Sequence, residues 1–277
     1  MIHRYQKKGL NFVLDVNSGA VHLLDDISYA VSGLIDENMT EACPESVVEA
    51  LPQYSADDVR EAYGELYELK KAGQLFAEDK ALCLHVAHDC NLRCKYCFAS
   101  TGDFGQGRKI MPPEVAKKAI DFVIARSGKR RNIEVDFFGG EPLMAWDTVT
   151  QTVDYARSIE EQHGKKFRFT ITTNGLLLDE DKRKYINENM DNCVLSLDGR
   201  REVNDEFRKT VAGTGSYDTI VPKFKALVDE RDPNLDYYAR GTFTSHNLDF
   251  AEDVLSIADA GFDRLSVEPV TADPGCG

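Results

Sequence analysis

The sequence predicts an α/β protein in which a parallel sheet follows a small separate domain. From Leu82 onward, short apolar runs alternate with longer segments of helical spacing. Parallel strands need such crossover helices, so this alternation predicts a parallel sheet. Before residue 77 the pattern differs, with two short β-prone runs followed by three helical segments. We therefore expect two domains, residues 1–76 and 77–277, which agrees with the length of 277 residues.

Composition and charge narrow the class of protein. Apolar residues make up 42% of the chain, enough for a substantial core. The net charge of −14 argues against nucleic acid or an anionic membrane as partner, because both are bound through clustered lysine and arginine. No signal segment opens the chain and no apolar run approaches the ~20 residues that span a bilayer. We therefore expect a cytoplasmic protein.

The N-terminal domain is predicted to contain a hairpin followed by helices. Residues 10–15 and 20–24 are β-prone and flank Asn17 and Gly19, which suit a hairpin turn. Helices are expected at residues 26–36, 44–51 and 55–72, the last with Ser55 and Asp58 placed as in a capping box. A hairpin with three helices predicts a winged-helix-like unit. Its many acidic residues do not suit DNA binding.

The second domain contains six predicted strands, each followed or preceded by a helix. The strands are expected at residues 82–87, 133–138, 167–173, 192–197, 237–244 and 264–267. The helices are expected at residues 114–126, 145–162, 179–189, 216–230 and 248–260. Polar motifs follow several of these strands directly. In parallel barrels this carboxyl edge is where the chemistry takes place.

Three of the seven cysteines lie within eight residues, after the first of these strands. Cys90, Cys94 and Cys97 are spaced by four and then three residues. Iron-sulfur clusters normally take four thiolates, so three can hold a four-iron cluster and leave one iron open. A structural zinc site is the alternative, with His85 or His88 as the fourth ligand. The spacing alone does not decide between them, and we expect Cys43, Cys83 and Cys193 to be packing residues.

The motif Cys90-x3-Cys94-x2-Cys97, with Tyr96 before the last thiol, resembles the radical S-adenosylmethionine (radical SAM) superfamily. The resemblance implies a [4Fe–4S] cluster whose open iron binds the amino and carboxylate groups of SAM. One electron from the cluster then cleaves SAM to methionine and a 5′-deoxyadenosyl radical, which abstracts a hydrogen atom from the substrate. With six strands, the resemblance also implies a partial, laterally open (β/α)6 barrel.

Three further motifs lie at the ends of predicted strands. Gly139-Gly140-Glu141-Pro142 combines two glycines that allow close approach, a carboxylate for an ammonium group and a turn-forming proline. In the family this motif binds the amino group of SAM. Thr173 and Asn174 could reach the ribose or methionine end of SAM. Ser196 and Arg208 could hold its carboxylate, a pairing that arginine makes well, and Arg240 in a predicted buried strand needs a polar partner.

Both domains also resemble the maturases of the six-cysteine peptide SCIFF. The local matches are residues 14–22 and 266–270. The resemblance implies that residues 1–76 recognise a leader peptide, which adds as a strand to the open edge of the hairpin. It implies a ribosomally made precursor peptide as substrate, a low-potential electron donor and thioether bonds from cysteine sulfur to a backbone α-carbon. Neither a nucleic acid nor a membrane is expected as partner.

One departure from that family leaves alternatives open. Its members continue into a C-terminal SPASM-type domain with auxiliary clusters, whereas this sequence stops at Gly277. We expect a truncated form that could cleave SAM without forming the crosslink. The alternatives are a sulfatase-type maturase that oxidises cysteine or serine, and a peptide-binding module without catalytic activity.

Overall fold

A computed structural model describes residues 2–16, 18–76 and 81–270 of the chain. The chain divides into two compact units. The first is Met1–Lys80 with Arg126–Gly128, and the second is Ala81–Ala125 with Lys129–Gly277. Among the described residues, no helix is both long and apolar enough to cross a membrane.

The first unit contains a three-stranded antiparallel sheet in the order β1-β2-β3. The strands are β1 (Ile2–Lys7), β2 (Leu10–Asp15) and β3 (Val21–Leu24). The predicted hairpin is present as the antiparallel pair β2–β3, but it does not open the chain, because β1 is an additional strand that was not predicted. Nearly all side chains of β1 are exposed, so its sequence has few apolar residues and lacks the pattern that would have predicted a strand. The β1–β2 turn has positive φ at both Lys8 (54°) and Gly9 (76°), as a two-residue type I′ hairpin requires.

Three helices follow this sheet along the chain: α1 (Asp26–Val31), α2 (Glu45–Glu49) and α3 (Ala56–Lys71). Val13 of β2 shares one buried core with Val31, Val47 and Val59 of these helices. Helix α1 is shorter than the predicted 26–36. The predicted cap of α3 is present, since Ser55 Oγ accepts a hydrogen bond of 3.1 Å from the N–H of Asp58. The winged-helix-like description of this unit remains a prediction, and Asn17 of the predicted turn lies outside the described residues.

The second unit is built on a seven-stranded sheet in the order β10-β9-β8-β7-β6-β4-β5. Six of the strands are parallel neighbours in chain order: β4 (Ala81–His88), β6 (Asn132–Gly139), β7 (Lys166–Thr173), β8 (Asn192–Ser196), β9 (Asp236–Phe243) and β10 (Leu265–Pro269). The short β5 (Lys109–Ile110) pairs antiparallel with the end of β4. The predicted α/β fold with a parallel sheet is confirmed.

The helices of this unit are α4 (Pro113–Arg126), α5 (Trp146–His163), α6 (Glu180–Asn189), α7 (Arg201–Phe207), α8 (Tyr217–Asp229) and α9 (Phe250–Asp259). Five of them match the predicted helices, and α7 was not predicted. A 3₁₀ turn, Pro142–Ala145, leads into α5. The core lies between sheet and helices and includes Ile133, Phe137, Phe169, Ile171 and Leu195, all fully buried.

Side chains alternate along the parallel strands between this core and the opposite face of the sheet. On β9, Tyr237 and Ala239 are buried, whereas Tyr238 and Arg240 are exposed. Arg240 was predicted to be buried, and this was wrong because it lies on the face opposite the helices. Cys193 is buried, as expected of a packing residue. Cys83 on β4 was expected to be a packing residue too, but it is exposed because it lies on the face opposite the helices.

Candidate cofactor site

A cavity of about 300 Å³ opens at the carboxyl ends of the parallel strands. It is lined by every residue that the sequence predicted for cofactor binding except Pro142: Cys90, Cys94, Tyr96, Cys97, Gly139, Gly140, Glu141, Thr173, Asn174, Ser196 and Arg208. Pro142 is buried at the start of the 3₁₀ turn instead. Motifs spread over more than a hundred residues therefore meet in one place, because each follows a different strand of the same sheet.

The cysteine-bearing loop is held by hydrogen bonds that its own backbone N–H groups donate. The N–H of Cys90 donates to Asp89 Oδ1 at 2.9 Å. Arg93 N–H donates to the carbonyl of Lys209 at 2.7 Å, which attaches the loop to the chain after α7. The N–H of Cys97 then closes a turn onto the carbonyl of Cys94 at 3.2 Å. The loop thus presents its three thiols to the cavity from a fixed backbone.

The donor set of this loop fits an iron-sulfur cluster. Cys90, Cys94 and Cys97 are free thiols that line a single cavity. Burial raises the pKa of Cys90 to about 12 and that of Cys94 above its usual value, so a bound cation is needed to hold them as thiolates. Within residues 2–16, 18–76 and 81–270, no three His, Cys, Asp or Glu side chains converge on a single-ion site. Thiols that surround a cavity in this way suit a cluster, which takes each thiolate on a different iron.

Glu141 connects two of the strand ends. Its Oε1 accepts hydrogen bonds from Thr173 Oγ1 at 2.7 Å and from the N–H of Leu143 at 3.0 Å. Its Oε2 accepts one from the N–H of Asn174 at 2.8 Å. Gly140 before it cannot be replaced, because a Cβ there would lie 2.2 Å from the carbonyl oxygen of Asp89. The carboxylate is only 1% exposed and faces the cavity.

The stability of the protein should depend on pH through Glu141. Burial raises its pKa from 4.5 to about 7, against the effect of its three hydrogen-bond donors. Because the folded-state pKa is above the unfolded value, the stabilisation is complete below pH 4.5 and is lost as the pH rises through about 7. The loss amounts to about 3 kcal/mol in the ligand-free protein.

Urea unfolding between pH 4.5 and 8, compared with Glu141→Gln, measures this contribution. The variant should lack this part of the pH dependence. Equal slopes in both proteins over this interval would show that Glu141 titrates normally.

Asp198 joins the cysteine loop, β9 and Arg208. Tyr96 donates its hydroxyl proton to Asp198 Oδ2 at 2.5 Å, and the N–H of Thr242 donates to Oδ1 at 3.0 Å. Arg208 Nε lies 3.0 Å from Oδ2. This contact is an ion pair rather than a hydrogen bond, since the buried Nε has no aligned acceptor within the described chain. No sequence motif predicted these contacts of Asp198, because its partners come from distant segments of the chain.

The charge of Arg208 is retained by this arrangement. Burial acts to lower its pKa, but the adjacent Asp198 carboxylate more than offsets this effect, and the pKa lies above its usual value. The guanidinium also lies over the ring of Tyr96, with Cζ 5.5 Å from the ring centre. Arg208 is therefore a permanent cation at the cavity wall. This is what binding a carboxylate requires.

Two unlike walls form the outer part of the cavity. Phe98 and Phe138 stack with ring centres 6.3 Å apart, and Phe98 is 69% exposed. On the other side, Arg240 of β9 forms an ion pair with Glu268 of β10. Both of these charged side chains are about half exposed. Glu268 is thus the polar partner that the sequence required for Arg240, and the pair is accessible to a substrate.

Comparison with known proteins settles the family. The model of the Radical SAM superfamily matches residues 84–235, which are 152 of the 277 residues. The chain belongs to the radical SAM superfamily. A [4Fe–4S] cluster and S-adenosylmethionine are the cofactors of this superfamily, and structural neighbours of the chain contain bound SAM.

Two curated relatives are similar in sequence. The radical SAM cyclopropyl synthase TigE of Paramaledivibacter caminithermalis is 27% identical over 249 residues, 83% of this chain and 50% of TigE. The cysteine-type anaerobic sulfatase-maturating enzyme of Clostridium novyi is 30% identical over 146 residues, 51% of this chain and 38% of that enzyme. This chain spans about half the length of such relatives.

Two solved structures share the fold. The enzyme anSMEcpe with bound AdoMet superposes with a TM-score of 0.61 at 22% identity, over 69% of this chain and 51% of anSMEcpe. SuiB of Streptococcus suis, bound to SAM, gives a TM-score of 0.56 at 16% identity, over 99% of this chain and 63% of SuiB. The expected radical SAM type of α/β fold is therefore confirmed.

Proposed function

We propose that this chain reductively cleaves SAM at a [4Fe–4S] cluster in order to modify a ribosomally made peptide. The observation that carries the proposal is the shared cavity, in which three free thiols meet the residues of three strand-end motifs. Cys90, Cys94 and Cys97 would each hold one iron. Bound there, the cluster supplies one electron that cleaves SAM to methionine and a 5′-deoxyadenosyl radical.

The cavity walls offer complementary groups to the methionine part of SAM. Glu141 is a buried carboxylate suited to the ammonium group, and its ionisation near neutral pH is favoured by that partner. Ser196 and Arg208 lie at the end of β8 and after α7, where they can hold the carboxylate. Asp198 contacts both Arg208 and Tyr96 and helps to hold these two side chains at the cavity wall.

Formation of 5′-deoxyadenosine tests the enzymatic proposal. Anaerobic protein would be reconstituted with iron and sulfide and incubated with SAM and dithionite, which replaces the low-potential electron donor. We expect 5′-deoxyadenosine and methionine in equal amounts. Reconstituted protein that contains the cluster but never cleaves SAM would support the peptide-binding module without catalytic activity.

A peptide substrate is supported by the open side of the sheet and by the relatives. Among the described residues, no strand pairs with the outer edge of β10. The pair Arg240–Glu268 on β9 and β10 is about half exposed and leaves this side accessible. SuiB has been solved bound to the precursor peptide SuiA, and anSMEcpe has been solved with bound AdoMet and the Cp18Cys or Kp18Cys peptide.

We place recognition of the leader peptide on residues 1–76, at the free edge of β3. Asp15 N–H donates to the carbonyl of Ala20 at 2.9 Å. This hydrogen bond determines which residues of β3 direct their backbone groups towards β2 and which direct them away. In an antiparallel pair the hydrogen-bonding direction alternates, so the backbone groups of Val21 and Leu23 point away from β2. No other described strand pairs with them. An extended peptide can therefore add there as a fourth strand.

Leu23→Pro should weaken leader binding without unfolding the sheet. The substitution removes an N–H that points away from β2, so β2–β3 pairing is retained. We expect the affinity of the full chain for its leader to fall roughly tenfold. The measurement is a fluorescence titration with synthetic peptides from short reading frames beside the gene.

Leu23→Ala is the matched control, because it shortens the same exposed side chain and keeps the N–H. It should bind far better than Leu23→Pro. Equal binding by wild type and Leu23→Pro would place the leader elsewhere.

The bond formed is proposed to be a thioether from cysteine sulfur to a backbone α-carbon, by resemblance to the SCIFF maturases. Each such bond removes two hydrogen atoms from the peptide. A second candidate is oxidation of a cysteine or serine, favoured by the 30% identity to the cysteine-type sulfatase-maturating enzyme. Mass spectrometry of the product separates thioether formation from cysteine oxidation, because oxidation of cysteine to an aldehyde eliminates its sulfur and thioether formation retains it. Oxidation of serine also removes two hydrogen atoms, so fragment masses are needed to show whether a serine or a cysteine has changed.

A further inference from the structure

The amide of Asn174 lies beside the first cysteine of the loop. Its Nδ2 is 3.6 Å from Cys90 Sγ and donates to Asn91 Oδ1 at 2.8 Å. Its Oδ1 accepts from the N–H of Leu176 at 3.1 Å. The N–H of Leu92 also donates to Cys90 Sγ, at 3.4 Å. Both ends of the Asn174 side chain are therefore engaged within the protein, on the wall that faces the cysteine loop.

The position of Asn174 is fixed from two sides. Its own N–H donates to the buried carboxylate of Glu141 at 2.8 Å. Gly175, which follows it, has φ of +78°, and a Cβ there would lie 2.4 Å from the ring of Phe224. The turn after β7 is thus set by packing on α8 and by Glu141. The amide is held towards Cys90 before any cofactor binds.

We propose that Asn174 is a positioning residue that tunes the cluster through the sulfur of Cys90. A hydrogen bond to a cysteine sulfur withdraws electron density from the iron it ligates, and this stabilises the more negative, reduced cluster. Asn174 and the N–H of Leu92 together supply two such donors to one sulfur. This role differs from the SAM contact that the sequence predicted, and it rests on the proposed assignment of Cys90 as a cluster ligand.

The test is the midpoint potential of the reconstituted full chain, measured without SAM by EPR-monitored redox titration. Asn174→Leu keeps the approximate size of the side chain and removes the donor. We expect the ratio of reduced to oxidised cluster at a fixed potential to fall roughly threefold to tenfold, the factor that corresponds to one net hydrogen bond. Asn174→Ala should give a fall in the same direction.

Thr172→Val is the matched control, since it removes a polar group from the wall of the same cavity by an isosteric change. Its potential should equal that of the wild type. Resonance Raman spectra give a further test, because the shift of the Fe–S(Cys) stretching bands on exchange into D2O should be smaller in Asn174→Leu than in the wild type, where both donors are present.

Two results would overturn the proposal. The first is an unchanged potential in Asn174→Leu; a weaker affinity for SAM in the same variant would then restore the SAM-contact role. The second is a D2O shift that is no smaller in Asn174→Leu than in the wild type. Failure of wild-type chain to take up iron is a separate outcome, which would refute the cluster assignment itself.

Discussion

Replacing Cys94 with alanine is expected to abolish SAM cleavage. Cys94 is one of three thiols that line the cavity, and a cluster with two protein ligands is not held in a defined position. Loss of an outer partner of a metal ligand already costs about 10–100-fold, so loss of the ligand itself should cost more than about 100-fold. The measurement is 5′-deoxyadenosine formed under dithionite, together with iron content and the visible absorption of the cluster.

Cys83→Ala is the matched control for this experiment. Cys83 lies on β4 only seven positions before Cys90, yet it is exposed and does not line the cavity. Its iron content and product yield should match the wild type. Retained cleavage in Cys94→Ala would remove this residue from the ligand set and leave the loop with a structural role.

Among the substitutions considered for stability, replacing Asp198 with alanine is expected to lower the free energy of unfolding the most. The carboxylate is fully buried and the Arg208 side chain is 10% exposed, so the substitution leaves a nearly buried cation unpaired. The hydroxyl of Tyr96 and the N–H of Thr242 lose their acceptor as well. Breaking a buried ion pair costs about 3–5 kcal/mol.

Urea unfolding, followed by the fluorescence of the single tryptophan, Trp146, reports this loss for the second unit. The control is Asp229→Ala, because Asp229 and Lys225 form a pair at 2.8 Å that is largely exposed. That change should cost less than about 1 kcal/mol. If both variants lost equally little stability, Asp198 would not hold Arg208 in the way described.

The parallel sheet could be predicted because its strands are apolar on at least one face and are separated by clear helical patterns. The elements that were missed lack such a signal. β1 (Ile2–Lys7) is almost entirely exposed, and β5 (Lys109–Ile110) has only two residues. Helix α7 spans seven residues, and the chain that follows it is fixed by contacts with the cysteine loop rather than by its own periodicity.

The residues that line the site could also be predicted from the sequence, but the contacts between them could not. Motifs that follow parallel strands meet at one edge, so their meeting follows from topology alone. The bond between Tyr96 and Asp198 joins residues 102 positions apart, and that between Asn174 and Cys90 joins residues 84 apart. Such contacts depend on how loops fold over the sheet edge. No local pattern in the sequence encodes them.

The most direct test of the account is the metal content and EPR spectrum of anaerobically reconstituted wild-type chain. We predict about four irons and four sulfides per chain, as three thiolates on a four-iron cluster require. The EPR signal of the reduced cluster should change when SAM is added, because SAM would bind the iron that no cysteine ligates. Protein that contains a single zinc ion and no iron, or a cluster whose signal does not respond to SAM, would contradict the account.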